Sequence, residues 1–174
     1  GGMDALDERA AQRFRTSLDI MVGRKRRYDS QSMVFHYPGL VPVEFFDRAR
    51  FPWLDAFEEN TDQIREEFLA VLAKEEGFTP YLTYPEGSPL NQWAELNNSP
   101  RWSAYHLKKA GETIADHARH CPVTMKLLEA VPQPTQIGRT PVALFSLLKP
   151  KTRIPAHVGV SNTRLLAHVP LIIP

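Results

Sequence analysis

The chain has 174 residues, which is enough for one domain with a sizeable core and short for two. Hydrophobic residues make up 43% and charged residues 24%, a globular balance that excludes a disordered or fibrous chain. The formal net charge of +1 gives no general attraction to nucleic acid or to an anionic membrane, so we predict neither as a partner. A single cysteine, Cys121, cannot form an internal disulfide, which favours a reducing compartment and predicts a cytoplasmic protein.

The first thirty residues are predicted to form one helix behind a tag remnant. Gly1 and Gly2 look like the remainder of a cloning tag, and the start lacks the layout of a signal peptide. From residue 4 to residue 21 apolar positions recur at steps of three and four, which predicts an amphipathic helix that stops at Gly23. The basic run 24–27 is either a solvated helix end or a nucleic-acid or targeting patch. We predict an N-terminal region over 1–30 and a main domain over 31–174.

The next eighty residues predict an extended segment, a helix and a loop. Residues 30–52 alternate aromatic residues with Pro and Gly, which indicates an extended segment whose aromatic side chains bury against a core. A helix capped by Asn60 or Thr61 should follow and end at Gly77, and its apolar stripe comprises Ile64, Phe68, Leu69, Val71 and Leu72. Its acidic residues are expected to form a solvated face, namely Glu66, Glu67, Glu75 and Glu76. Residues 78–101 read as a long surface loop of the kind that can act as a lid.

Between residues 102 and 131 we predict a strand and a broken helix. Residues 102–107 alternate as a strand with an aromatic face, on which His106 lies at the surface. Residues 112–131 are expected to be helical with a break at Pro122. His117 and His120 are three residues apart on one helix face, a spacing that can hold a metal, but no third ligand accompanies them in the sequence and a surface role is favoured.

Polar residues interrupt two apolar runs near the end of the chain. Residues 142–148 predict a buried strand in which the hydroxyl of Ser146 must find a partner. Residues 164–173 predict a second strand, with Arg164 and His168 on one face. If that face meets His157, the residues could hold a metal and a small dicarboxylate. The alternative is that these histidines are ordinary structural residues.

This terminal motif, Phe-Ser-Leu-Leu at 145–148, then His157 to Arg164 and His168, resembles the aspartyl/asparaginyl β-hydroxylase family of Fe(II) and 2-oxoglutarate dependent dioxygenases. The likeness extends over about residues 34–174. The resemblance implies an α+β fold with a jelly-roll core, the double-stranded β-helix of cupin-like proteins, and N-terminal helices packed outside. It implies oxidative decarboxylation of 2-oxoglutarate to succinate and CO2, coupled to hydroxylation of an Asp/Asn-type side chain in a peptide or of a small metabolite.

The resemblance also implies roles for individual residues. His157 would bind iron, and Gly159 stands where the wider superfamily has a carboxylate ligand. Ser146 and His168 would hold 2-oxoglutarate, and Arg164 would meet the carboxylate of the substrate. Some family members carry a second arginine where this chain has Leu166, which leaves one cosubstrate contact in doubt.

The family pattern continues beyond the last residue of this chain. A second iron-binding His and an Arg that pairs with 2-oxoglutarate lie downstream in the family, so we expect a longer protein in which the remaining strands complete the sheet. A half jelly-roll alone should aggregate through its uncovered edges. Two other functions stay open at this point: hydroxylation of a lipid acyl chain, and a non-catalytic jelly-roll scaffold that has lost the iron site. The oligomeric state does not follow from the sequence.

Overall fold

The computed structural model describes residues 7–29, 31–43 and 45–173. The chain divides into two compact units. Unit 1 comprises Gly1–Phe46 and Val158–Thr163, and unit 2 comprises Asp47–His157 and Arg164–Pro174. The predicted boundary at residue 30 stays a prediction, and the proposed tag remnant lies outside the described residues. No helix of the described ranges has the length and apolar character needed to cross a bilayer.

Unit 1 begins with helix α1, Glu8–Met21. The carboxylate of Asp7 accepts a hydrogen bond from the backbone N–H of Ala10 at 2.7 Å, which satisfies one of the free donors of the first turn. The helix stops before Gly23, whose φ of +75° suits glycine. The predicted amphipathic helix is confirmed for its described part, while its first positions, residues 4–6, lie outside the described residues.

Backbone hydrogen bonds join two separate segments of unit 1. The N–H groups of Val34 and Phe35 donate to the carbonyl of Val160 at 3.1 and 3.0 Å. One side chain, Asn162, brackets the backbone of Tyr37: its Oδ1 accepts from the Tyr37 N–H at 2.8 Å, and its Nδ2 donates to the Tyr37 carbonyl at 2.9 Å. Polar pairing therefore holds this part of the chain.

The expected burial of the aromatic residues in 30–52 is wrong for three of them. Phe35 and Tyr37 are more than half exposed, and Phe45 is 91% exposed. The physical reason is that unit 1 has no core to receive them, since Ala11 is its only buried residue within the described ranges. The prolines do exclude helix as predicted, apart from one 3-10 turn at Arg48–Arg50.

Unit 2 opens with helices α2, Leu54–Glu59, and α3, Thr61–Ala73. The predicted stripe on α3 is confirmed at Ile64, Phe68 and Val71, which are buried, but Leu69 faces solvent. The predicted side-chain cap is wrong. Asn60 Nδ2 donates to the Ala56 carbonyl and Thr61 Oγ1 donates to the Phe57 carbonyl, so both side chains satisfy the end of α2 instead.

An antiparallel sheet of four strands is built around one long strand. The strands are β1, Thr79–Pro80, β2, Trp102–Lys109, β3, Glu112–Thr113, and β4, Ala143–Leu148. Strand β2 pairs with all three others, and Lys108 pairs with both β3 and β4, so these two lie on opposite edges. The α+β class is thus observed, and the jelly-roll stays a prediction.

Two short helices complete unit 2. They are α4, Ala115–Ala118, and α5, Pro122–Glu129, and Pro122 occupies the first turn of α5, where its missing N–H costs nothing. The predicted break at Pro122 is confirmed. The side chains of the core come from α2, α3, β2, β4 and the residue before α5: Phe57, Ile64, Phe68, Val71, Tyr105, Leu107, Cys121 and Phe145.

Two predictions about the terminal runs are wrong. Strand β4 is not buried on both faces, since Phe145 is buried while Ser146 and Leu148 are exposed. Residues 164–173 form no strand, because no neighbouring strand pairs with them. Only the end of that segment is anchored: Val169 and Leu171 pack against the core, and the Leu171 carbonyl accepts from Arg65 Nε at 2.7 Å.

Candidate functional site

Ser146 is placed on β4 opposite Ala104 of β2. Its exposed position corrects the expectation that its hydroxyl is buried. The Oγ atom accepts a hydrogen bond from Trp102 Nε1 at 3.0 Å, because an indole N–H can only donate. The hydroxyl proton of Ser146 is therefore free to be donated to a bound anion.

Three aromatic rings continue from Ser146 toward His157, and we call Tyr81, Trp102 and Trp93 the aromatic row. The rings of Tyr81 and Trp102 stack at a centroid distance of 3.9 Å and an angle of 7°. The Trp93 ring lies 6.3 Å from Trp102 and meets the His157 ring edge-on at 5.1 Å. Two of the predicted site residues, Ser146 and His157, are thus connected through indole rings.

His157 is held in one tautomer. Its Nδ1 lies 2.9 Å from the Pro155 carbonyl oxygen, which can only accept, so Nδ1 carries the proton and Nε2 has a free lone pair. The preceding carbonyl, of Ala156, accepts from Gln92 Nε2 at 3.1 Å. An imidazole with one nitrogen bound to a backbone carbonyl and the other free is the usual form of a metal-binding histidine.

A cleft of about 480 Å³ lies beside the segment that carries His157. Its walls come from two segments and comprise Asn91, Gln92, Ala94, Glu95 and Leu96 on one side and Arg153, Pro155 and Ala156 on the other. Arg153 and Glu95 contribute its charged groups. The sequence prediction missed Arg153, which offers a guanidinium for an anionic ligand.

Arg164 and His168 lie on the exposed part of the segment 164–173. Within the described ranges neither side chain makes a hydrogen bond or an ion pair, so both remain available to a ligand. The structure does not bring either of them into contact with Ser146 or His157. The structure therefore links Ser146 and His157 through the aromatic row, and the roles predicted for all four residues stay predictions.

The His117 and His120 pair does not form a metal site. His117 Nδ1 donates to the His106 carbonyl at 2.7 Å, and its ring stacks on Tyr105 at 4.1 Å. His120 lies between two cations, Lys74 Nζ at 3.2 Å and Arg119 Nε at 3.4 Å. Burial, then these two charges, lowers the pKa of His120. Across the described ranges no group of three His, Cys, Asp or Glu side chains could hold a metal ion.

Glu67 has a structural role that the sequence prediction also missed. The sequence predicts that it lies on a solvated face, but its carboxylate accepts from the N–H groups of Val123 and Thr124 at 2.7 and 3.0 Å and from Thr124 Oγ1 at 2.6 Å. It therefore caps α5 from another helix. Burial, and then this carboxylate, raises the pKa of the Cys121 thiol to about 12, so Cys121 stays protonated and is no nucleophile.

Comparison with known proteins decides the family. The family model described as aspartyl/asparaginyl beta-hydroxylase matches residues 58–174, about two thirds of the chain. The chain belongs to the aspartyl/asparaginyl β-hydroxylase family. The matched region includes every predicted site residue of the terminal motif and the whole sheet.

Several curated relatives of this family carry hydroxylase names. An ornithine lipid ester-linked acyl 2-hydroxylase of Rhizobium tropici is 28% identical over 145 residues, 83% of this chain and 48% of the relative. An aspartyl/asparaginyl beta-hydroxylase of Homo sapiens is 32% identical over 119 residues, 68% of this chain and 14% of the relative. The aspartate beta-hydroxylase domain-containing protein 2 of Xenopus tropicalis is 30% identical over 81% of this chain and 36% of the relative.

The chain spans about half or less of the length of these relatives. No solved structure matches it. The names of these relatives have hydroxylation in common, whereas the substrates in those names differ between a lipid and an amino-acid side chain.

Proposed function

We propose that the protein is an Fe(II) and 2-oxoglutarate dependent hydroxylase that acts on an Asp/Asn-type side chain of a peptide or on a small metabolite. The observation that carries the proposal is the tautomer of His157, whose Nε2 lone pair is free while Nδ1 is tied to the Pro155 carbonyl. Membership of the hydroxylase family supports the reaction class.

His157 fits a metal ligand on three counts. Its ring is exposed, its donor nitrogen is free, and its backbone is fixed by the Gln92 hydrogen bond to the residue before it. Nitrogen from imidazole is a common ligand for non-haem iron. When bound, the iron would supply the oxygen chemistry of the reaction, and His157 would hold it through Nε2.

Ser146 would hold a carboxylate of 2-oxoglutarate. The Trp102 indole N–H occupies a lone pair of the Ser146 oxygen and fixes its position, which leaves the hydroxyl proton to point at the anion. The buried ring of Trp102 would also exclude water from that side of the cosubstrate.

Arg164 and His168 would complete the contacts to anions. The guanidinium of Arg164 has no partner within the described ranges, so its planar fork could bind a substrate carboxylate with two parallel hydrogen bonds. The proposed role of His168 is to donate a hydrogen bond to 2-oxoglutarate. Both residues lie on a segment without strand pairing. The jelly-roll of the whole protein, which is also part of the proposal, would hold their side chains in position.

The experiment is 2-oxoglutarate turnover by the full-length protein with added Fe(II), followed as succinate formation. His157→Ala should abolish turnover and weaken Fe(II) binding measured by calorimetry without oxygen. His36→Ala, which changes an exposed histidine of unit 1, is the matched control and should leave both unchanged. Absence of succinate together with unchanged iron binding in His157→Ala would contradict the proposal and return the scaffold alternative.

A second candidate substrate is a lipid acyl chain. The Rhizobium tropici relative is named as an acyl hydroxylase and aligns with 83% of this chain, more than the human aspartyl/asparaginyl relative does. Supplying ornithine lipid, an Asp-containing peptide or neither to the turnover assay distinguishes the substrates, because the true substrate should raise succinate formation above the uncoupled rate.

A further inference from the structure

Helix α1 presents an apolar face to solvent. Phe14, Leu18 and Met21 fall within an arc of about 60° on a helix with 3.6 residues per turn. Phe14 is 48% exposed and Met21 is 74% exposed, and Leu18 and Val22 are exposed as well. A soluble helix normally covers such a face, so an uncovered one indicates a surface that binds something.

The residues around this face carry a positive charge that the rest of the chain lacks. Between residues 7 and 29 there are seven Lys and Arg residues against four Asp and Glu residues, a net charge of +3. The whole chain carries +1, so the remainder carries −2. The chain's total charge, on which the expectation of no membrane partner rests, hides this asymmetry.

The basic run directly after the helix supplies cations that form no ion pair among the described residues. Arg24 and Arg27 lie 3.9 and 3.4 Å from Asp19 and Asp29. Lys25 and Arg26 form no ion pair within the described ranges, and both are exposed. Lys25 and Arg26 thus place two exposed positive charges at the end of an exposed apolar face.

We propose that α1 and the run Arg24–Arg27 bind the surface of an anionic lipid bilayer. A helix with an apolar face, low overall hydrophobicity and adjacent basic residues lies in the plane of the interface, its apolar side chains among the acyl chains and its cations at the headgroups. Charge complementarity selects an anionic lipid surface over a second copy of the chain, whose same basic run would be repelled. The proposal does not depend on the hydroxylase function.

Sedimentation of the full-length protein with vesicles tests it. The protein should sediment with vesicles of phosphatidylcholine and phosphatidylglycerol mixed two to one, and stay in solution with phosphatidylcholine alone. Lys25→Gln combined with Arg26→Gln should weaken the partition about 30-fold at physiological salt, since each basic residue near the surface contributes roughly a five-fold factor. Lys149→Gln combined with Lys151→Gln, two exposed lysines of unit 2, should change nothing.

Variants of the apolar face of α1 test whether its side chains contribute to the binding. Phe14→Ser combined with Leu18→Ser should weaken the partition at least about tenfold. Leu69→Ser, at a leucine 44% exposed on α3, should leave it unchanged. Size-exclusion mass of each variant separates a lipid surface from self-association, because a fall in mass in the α1 variant without vesicles would show that a second copy covers the face and overturn the proposal.

A fluorescence experiment gives a positive signal on binding, so its result cannot be mimicked by a variant that fails to fold. An environment-sensitive dye on Met21→Cys should shift to the blue on anionic vesicles, whereas the same dye on Gln12→Cys, on the opposite side of α1, should not. Cys121 is fully buried and stays unlabelled. Equal shifts at both positions, equal binding to both vesicle types, or no binding to either would overturn the proposal.

Discussion

The two units of this chain use apolar residues in opposite ways. Unit 2 packs side chains from two helices, two strands and Cys121 into one cluster, in which the Phe68 and Phe145 rings lie 5.4 Å apart. Unit 1 has similar apolar residues but leaves them in water. Of the 24 large hydrophobic side chains that are exposed among the described residues, thirteen lie between residues 14 and 45 and two more at 158 and 160.

The difference shows that apolar content alone does not make a core. In unit 2 the apolar face of α3 meets the apolar face of a sheet, so each covers the other. In unit 1 the segments are joined by backbone hydrogen bonds and by Asn162, and no second apolar layer is present in the described part of that unit. Residues of unit 2 should therefore control stability, and those of unit 1 should be tolerant.

The largest effect should come from a large side chain in the core of unit 2. Phe68→Ala should lower the free energy of unfolding by about 3–5 kcal/mol, because it removes apolar contacts and leaves a cavity beside Phe145. Phe35→Ala in unit 1, where the ring is 53% exposed, should change it by less than about 0.5 kcal/mol. Urea unfolding measures both. Equal losses would show that unit 1 shares the core.

Two glycines with the same backbone conformation give the next contrast. Gly77 and Gly39 have φ of +80° and +81°, but an added Cβ at Gly77 would lie 2.7 Å from Tyr105 Cε2 and 2.8 Å from His117 Nε2, whereas Gly39 has open space. Gly39→Ala should cost about 1 kcal/mol, from backbone strain alone. Gly77→Ala should cost about 2–4 kcal/mol, because overpacking adds to the strain. Thermal melting compares them, and similar midpoints would mean that the Tyr105–His117 stack yields easily.

The smallest contrast concerns side chains that bind backbone N–H groups. Glu67→Ala removes three hydrogen bonds to the start of α5 and should cost about 2 kcal/mol. Asn162→Ala removes two exposed hydrogen bonds of unit 1 and should cost roughly 0.5 kcal/mol. Urea unfolding is again the measurement. A larger loss in Asn162→Ala would place a stabilising centre in unit 1.

Local periodicity predicted those elements that carry their own signal. Helix α1, the stripe Ile64, Phe68 and Val71 of α3, and strand β2 all follow from spacing in the sequence. The strand predicted over residues 164–173 is wrong because a strand needs a partner strand, and a local sequence pattern does not show whether one is present. The prediction that Glu67 is solvated is wrong because its hydrogen-bond donors lie more than fifty residues away in the sequence.

The sequence predicted polar residues of the candidate site but not the aromatic rings that connect them. Ser146 and His157 stood out as polar residues in apolar or Pro-rich surroundings. The rings that connect them come from a loop and a strand, Trp93 and Trp102, and nothing in the sequence relates one to the other. The aromatic richness of the run before Trp102 was the available signal, although it gave no pairing.

The edge-on contact between Trp93 and His157 gives the protein a built-in optical reporter. Indole fluorescence is sensitive to atoms that approach within a few ångströms, and the ring centroids of this pair are 5.1 Å apart. A paramagnetic ion at His157 Nε2 would quench the emission of Trp93, whose ring in turn lies 6.3 Å from that of Trp102. Binding of such an ion at His157 could therefore be followed by tryptophan fluorescence, without an added label.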